Sequence, residues 1–190
     1  MGEGECGQCI GGGALRTQRR HEKGGASGAL RTQEAAQKVG PNPTDRGKLG
    51  TKRHIAVDAK GTPLVVLISG ANVNDCKMLE QLVDAIPKVY NGKKGPPRSR
   101  PRKLHADKGY DYPFCRKLLT DRSIKIRIAR RGVESSQTLG KHRWVVERTH
   151  AWMNKFRRLK VRYERRDDIH LAFLTLGCAL ICWNQFCRLC

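Results

Sequence analysis

The stretch Lys103–Asp111, KLHADKGYD, predicts a strand that ends in an acid and is followed by a sharp turn. Lys103–Ala106 has the composition of a short strand, and Gly109 lets the backbone turn beside Asp107. Ligands of mixed α/β sheets tend to lie beyond the carboxyl ends of strands, which makes Asp107 a candidate site residue. An alternative of equal weight is that the Asp107 side chain caps the turn and has a structural role.

Upstream of this stretch the pattern predicts a β-hairpin followed by a helix. Two β-rich runs, His54–Val57 and Leu64–Ile68, flank the turn sequence at residues 58–63. Asn74 or Asp75 is then placed to cap a helix whose apolar residues share one face.

Downstream of the stretch the pattern predicts a helix, a strand and two further helices. A helix begins near Pro113, and isoleucines alternate with basic residues over Ile124–Ile128, as in a strand with one buried face. A helix is predicted at about residues 142–160, and Asp167 or Asp168 caps a final apolar helix. Together with the hairpin, these elements indicate a mixed α/β domain.

The first 45 residues differ from the rest of the chain in composition. They are rich in Gly, and the hexapeptide GALRTQ occurs at both 13–18 and 28–33. Such a polar segment has too few apolar residues to build a core, which predicts disorder or weak helicity. We therefore expect two regions, a disordered repeat-bearing segment at 1–45 and a folded domain at 46–187.

The chain carries a large excess of positive charge, with 38 Lys and Arg residues against 17 Asp and Glu and a formal net charge of +21. Such an excess opposes compaction unless a polyanion relieves it, and nucleic acid is the common polyanion. Basic residues cluster at 48–53, 93–103 and 155–166, so we expect strong, salt-sensitive binding with little sequence preference. Charge alone leaves RNA-coating proteins and unselected translated sequences open as alternatives.

Targeting and redox signals favour the cytoplasm and association with the nucleoid. The N-terminus has no apolar signal region, and the longest apolar run, Leu171–Trp183, has 13 residues, too few to span a bilayer. We expect that run to be a core helix and expect no membrane partner. The eight Cys are expected to be reduced thiols, and the terminal pairs Cys6–Cys9 and Cys187–Cys190 are better explained by chance spacing than by a shared zinc site.

Glu147 is the acid on the helix predicted at 142–160, and it lies opposite the apolar face of that helix. Most polar residues around it are basic, the arrangement expected of a metal ligand beside a phosphate path. The alternative is a solvent-exposed face with an Arg143–Glu147 ion pair at i, i+4 spacing. Asp107 and Glu147 on different elements could hold a divalent metal, and phosphodiester cleavage suits such a site.

Three blocks of the sequence resemble the conserved blocks of DDE insertion-sequence transposases, in the group numbered five: Arg46–Leu64, Leu104–Asp111 and Arg143–Arg166. The resemblance implies an RNase H-like mixed sheet flanked by helices, Mg²⁺ or Mn²⁺ as cofactor, and three catalytic acids. The middle Asp of the triad corresponds to Asp107 and the final Glu to Glu147, which are thus the expected catalytic and metal-binding residues. The implied reaction is metal-dependent cleavage at the ends of the element, followed by strand transfer.

The resemblance and the charge pattern together imply DNA as partner, both the transposon ends and the target, and leave a homo-oligomer open. The arginine four residues before the triad Glu corresponds to Arg143. The residues that we expect to contact DNA are basic side chains near the two acids and in the first block: Lys48, Lys52, Arg53, Lys108, Arg143, His150, Lys155, Arg157 and Arg158.

The chain departs from the family pattern at three positions. Gly140 stands where related families have a Tyr, and Asn154 stands where they have a Lys, with Lys155 one position later. The first triad Asp belongs on a strand before Arg46, but no upstream acid lies in an apolar strand: Glu3, Glu5, Glu22, Glu34 and Asp45.

We therefore predict that the first strand is missing through truncation or a frameshift. The chain should bind DNA and fail to cleave it with Mg²⁺ or Mn²⁺, and restoring a strand with one Asp should rescue cleavage. Two other functions remain open. One is a non-enzymatic DNA-binding remnant, and the other is a basic RNA-binding protein, which the scarcity of aromatic residues disfavours.

Overall fold

A computed structural model of the chain describes residues 7–16, 38–90, 96–98, 100–130, 132 and 136–188, with side chains from residue 38 onward except at 136–143. These residues form a mixed α/β fold, as predicted. The strands are β1 (Gly7–Arg16), β2 (Gly40–Pro41), β3 (Leu49–Val57), β4 (Pro63–Gly70), β5 (Lys103–Ala106) and β6 (Lys125–Ile128). The helices are α1 (Leu79–Asp84), α2 (Pro113–Asp121), α3 (Ser136–Lys155), α4 (Arg157–Lys160) and α5 (Asp167–Cys187), with 3₁₀ turns at Asp75–Met78 and Lys108–Tyr110.

The strands belong to a single mixed sheet in the order β2-β3-β1-β5-β6, with β4 also paired to β3. β3 runs antiparallel to β1 and to β4, whereas β1, β5 and β6 are parallel neighbours. The predicted hairpin is confirmed. Asp58 closes its turn, because Oδ1 of Asp58 accepts hydrogen bonds of 2.8 Å from the backbone N–H groups of both Lys60 and Thr62.

β1 overturns part of the prediction for residues 1–45. That segment was expected to be disordered and to lack the first strand, yet Gly7–Arg16 is a strand between β3 and β5. Glycine has a low strand propensity, so the run Gly11–Gly13 gives no local sequence signal of a strand. Backbone pairing does not depend on side chains, and it joins Gly7–Ile10 to β5 and Cys9–Arg16 to β3. The second GALRTQ copy lies outside the described residues.

Two apolar clusters cover the two faces of the sheet. One cluster joins Ala56 and Leu104 to α1 and α2, and the other joins Ile55 and Val57 to α3, α4 and α5. Successive residues of β3 therefore point to opposite faces, as strand geometry requires. The core is thus a sheet between two helical layers.

The two C-terminal helices differ from their predicted limits. The helix expected at 142–160 begins earlier and is interrupted at Phe156, whose backbone is extended with ψ 110° before α4 starts. Arg166 is the N-cap residue of α5, so the prediction that Asp167 or Asp168 caps it was wrong. Both acids lie instead in the first turn of α5, where they interact favourably with the helix dipole.

By length and apolar composition alone, α5 is a helix that could cross a membrane, with 22% of its most apolar window buried. Leu174, Gly177 and Ile181 form its buried side, and an added Cβ on Gly177 would lie 2.6 Å from Leu159 of α4. Trp183 is 62% exposed and Phe186 58% exposed. The prediction of a core helix therefore holds for one side of α5.

Candidate nucleic-acid and metal site

Asp107 follows the last residue of β5, at the carboxyl end of a parallel strand, as predicted. Its Oδ1 accepts a 2.8 Å hydrogen bond from the backbone N–H of Gly109, so it caps the 3₁₀ turn Lys108–Tyr110. The side chain is nevertheless exposed to solvent. The capping role and an accessible carboxylate thus coexist, and the structure is compatible with both interpretations of this acid.

Gly109 is required for the close approach of this turn to Asp107. A Cβ added to Gly109 would lie 2.9 Å from Oδ1 of Asp107, which is closer than real Cβ atoms come to a neighbour. Any side chain at 109 would therefore displace the acid. The sequence correctly indicated a tight turn, and the reason is this short contact.

Helix α3, which carries Glu147, is fixed to the β3–β4 hairpin. Oγ1 of Thr149 donates a 2.8 Å hydrogen bond to the carbonyl of Gly61, and a guanidinium N–H of Arg148 donates to the carbonyl of Lys60. Gly61 has φ +81°, a conformation that favours glycine, and an added Cβ there would meet the guanidinium of Arg148 at 3.0 Å. The hairpin turn therefore determines the position of α3 over the sheet.

Glu147 is exposed, whereas Val145, Val146 and Thr149 of the same helix are buried. This confirms the predicted orientation of the helix. α3 packs against β1, and β1 is the neighbour of β5, so Glu147 and Asp107 are carried by neighbouring parts of the fold. That they share a divalent ion stays a prediction.

Two carboxylates leave most coordination positions of a divalent ion to water or phosphate, whereas the resemblance implies a site with three acids. Among the residues that the structure describes, no group of three or more His, Cys, Asp and Glu is placed to hold a metal ion. The donor set at Asp107 and Glu147 therefore does not fit the metal site that the sequence resemblance implies.

The basic residues predicted to contact DNA fall into an exposed group and an enclosed group. Lys48, Lys155, Arg157 and Arg158 are exposed, and Lys108 and His150 are half-buried. The side chain of Arg143 lies outside the described part of the chain. Lys52 is partly enclosed, since its Nζ donates to the carbonyl of Val73 and lies 3.2 Å from Oδ1 of Asp75.

Arg53 is the predicted DNA contact that the structure contradicts, because its side chain is only 3% exposed. Its guanidinium donates to Oδ1 of Asn154 at 2.9 Å and to the carbonyl of Leu159 at 3.4 Å. Burial lowers the pKa of Arg53 to about 10. Arg53 therefore joins β3 to α3 and α4, and the same contact occupies Asn154, the residue that departs from the family pattern.

Arg162 was counted with the basic cluster at 155–166, but it is 1% exposed. Its guanidinium donates to the carbonyl of Glu164 at 2.8 Å, to Oγ1 of Thr51 and to the carboxylate of Asp167. The Arg162–Asp167 pair thereby connects the start of β3 to the start of α5. A charge count cannot separate such a structural arginine from the exposed ones around it.

A second enclosed polar group lies on the opposite face of β3. Nε2 of His54 is 2.7 Å from Oγ of Ser69, and Nδ1 of His54 is 3.9 Å from Oδ1 of Asp75. Burial lowers the pKa of His54 to about 4, although the nearby Asp75 acts in the other direction. His54 is thus a neutral, structural histidine at neutral pH.

Comparisons with known proteins cover most of the chain. The family model described as Transposase DDE domain matches residues 16–183. A "Putative transposase for insertion sequence element IS402" of Burkholderia cepacia is 57% identical over 151 residues, covering 80% of this chain and 71% of that protein. A "Transposase for insertion sequence element IS1106" of Neisseria meningitidis serogroup B is 32% identical over 128 residues, covering 62% of this chain and 39% of that protein.

Proposed function

We propose, from the premise that this chain belongs to the DDE family of insertion-sequence transposases, that it serves DNA transposition by binding transposon DNA. Membership is shown by the family match and by the 57% identical relative. The family reaction would be metal-dependent phosphodiester cleavage and strand transfer. We infer that this reaction is impaired in the present chain.

The order and directions of the strands support an RNase H-like sheet. β4, β3 and β1 are successively antiparallel, β1, β5 and β6 are parallel, and helices cover both faces. Asp107, at the carboxyl end of β5, therefore lies next to β1, and α3 packs against β1. Acids at such strand ends are well placed to meet a ligand.

The observation that carries the proposed DNA binding is the exposed basic run at the end of α3 and in α4. Lys155 at the end of α3 and Arg157 and Lys160 in α4 are all exposed, and they follow Glu147 in the sequence. Phosphate groups neutralised by such side chains release counterions, which drives binding at low salt. We propose that this run, together with Lys48 and Lys108, follows a DNA backbone.

Mg²⁺ or Mn²⁺ bound in this family would activate a water molecule and stabilise the leaving oxygen. In this chain Asp107 and Glu147 are the proposed ligands, and the described residues supply no third acid beside them. That shortage favours a second candidate function, a DNA-binding protein without cleavage activity. Such a protein would occupy element ends without processing them.

The proposed DNA surface is tested by the salt dependence of binding to duplex DNA, measured by fluorescence anisotropy. The double variant Lys155→Gln/Arg157→Gln should lower affinity roughly tenfold near physiological salt and reduce the slope of log K against log salt by about 2. The matched control is Lys77→Gln/Lys117→Gln, which removes the same charge from exposed positions near α1 and on α2. Equal losses in both pairs would contradict a surface on α3 and α4.

A further inference from the structure

The register between β1 and β5 identifies the residue that lies beside Asp107. The strands are parallel, with Cys9 opposite His105 and Ile10 opposite Ala106. Continued by one residue beyond the last pair, this register places Gly11 level with Asp107. Neighbouring strands lie about 5 Å apart, so the backbone at position 11 is within reach of the same ligand as the Asp107 side chain.

Pairing with β3 determines which face of the sheet position 11 belongs to. Gly11 lies opposite Ile55, and residues directly opposite on antiparallel strands share a face. Ile55 packs in the same apolar cluster as Val145 and Val146 of α3. Position 11 therefore lies on the face covered by the helix that carries Glu147.

The two glycines that follow are placed differently. Gly12 lies opposite His54, which belongs with Ala56 to the other face of the sheet. Gly13 lies opposite Arg53 and shares the face of Gly11, but it is two residues further along β1, about 7 Å from the level of Asp107. Of these three positions, 11 is the one beside Asp107 on the α3 face.

We propose that Gly11 occupies the position from which a third carboxylate would complete a divalent-metal site with Asp107 and Glu147. This inference rests on the proposed function and sharpens it. The strand needed for the first acid is present in the fold, and the chain lacks one carboxylate on that strand. A single substitution, Gly11→Asp, should therefore supply the missing ligand.

The test is Mn²⁺ binding by the full chain without DNA, measured by electron paramagnetic resonance and calorimetry. Gly11→Asp should bind Mn²⁺ at least about tenfold more tightly than the unsubstituted chain, because Mn²⁺ and Mg²⁺ sites depend on the number of fixed carboxylate oxygens. Adding Glu147→Gln should remove the gain. Gly12→Asp and Gly13→Asp, which add the same charge at neighbouring positions, should show none. Equal gains in all three aspartate variants, or none at position 11, would overturn the inference.

A second measurement separates a failure to fold from a failure to bind. Gly11→Asn has nearly the shape of Gly11→Asp without its charge, so Mn²⁺ should raise the melting temperature of Gly11→Asp and leave that of Gly11→Asn unchanged. Unfolding of both variants would show that position 11 has no room for a ligand and would overturn the inference. DNA binding by the unsubstituted chain tests the proposed function independently, so the two failures can be told apart. If the unsubstituted chain binds DNA and Gly11→Asp binds Mn²⁺, the Gly11→Asp variant should also nick element-end DNA with Mn²⁺.

Discussion

β1 and β3 lie side by side in the sheet, yet their sequences specify them to very different degrees. In β3, Arg53, Ile55 and Val57 contact the layer of α3 to α5, Ala56 packs in the cluster of α1 and α2, and His54 lies 2.7 Å from Oγ of Ser69 in β4. β1 instead contains three glycines in succession and has little sequence signal of its own. The comparison teaches that one strand is fixed by its side chains, whereas its neighbour is fixed by backbone pairing, with β5 over Gly7–Ile10 and with β3 over Cys9–Arg16.

The largest effect should come from the buried pair that fastens the start of β3. Arg162→Leu leaves the carboxylate of Asp167 buried and unpaired, which should cost about 3–5 kcal/mol in the free energy of unfolding. Urea unfolding followed by circular dichroism measures this loss. The exposed Arg157→Leu serves as control and should change stability by less than about 0.5 kcal/mol. A similar small change for both variants would show that Arg162 is not a structural anchor.

A proline in β1 tests whether backbone pairing holds that strand. Gly12→Pro removes a backbone N–H from the part of β1 that pairs with β3 and fixes φ within the ladder, and should destabilise the fold by about 3 kcal/mol. Gly12→Ala keeps the N–H and should stay within about 1 kcal/mol of the unsubstituted chain. Chemical denaturation of both variants gives the comparison. Equal stability of the two would mean that β1 does not pair with β3 at this position.

His54 on β3 should make stability depend on pH in a defined direction. Burial lowers the pKa of His54 from 6.5 to about 4. Between pH 4 and pH 6.5 this histidine is therefore protonated in the unfolded chain and neutral in the folded chain. Stability is therefore fully present above pH 6.5 and is lost as the pH falls toward 4, by on the order of 3 kcal/mol.

The matching variant is His54→Asn, which should flatten that part of the stability profile. Burial and the nearby Arg162 also lower the pKa of His170. This histidine should therefore leave a smaller dependence of stability on pH, in the same direction. Melting temperatures measured from pH 4 to 7.5 provide the test. An unchanged slope in His54→Asn would assign the pH dependence to other groups.

Local sequence pattern was sufficient where side chains specify their own environment. The hairpin, the strand ending at Asp107 and the exposure of Glu147 were all predictable, because alternation and helical periodicity record which side of an element is buried. The predicted end of α3 was wrong because no Gly or Pro marks the break at Phe156, where the backbone is extended. A charge count also assigned Arg53 and Arg162 to the DNA surface, since nothing local distinguishes a buried arginine from an exposed one.

The amino-acid sequence by itself determined the mixed α/β class, the basic character and the family of this chain, because composition, periodicity and motif spacing are properties of the chain alone. Tertiary structure alone decided that β1 pairs with both β3 and β5 and that Ile10, the residue before Gly11, lies opposite Ala106, the residue before Asp107. Strand pairing joins residues about a hundred positions apart through backbone groups that every non-proline residue carries. Glycines therefore join a sheet without leaving a local signal, and only the register shows which of them stands beside the acid.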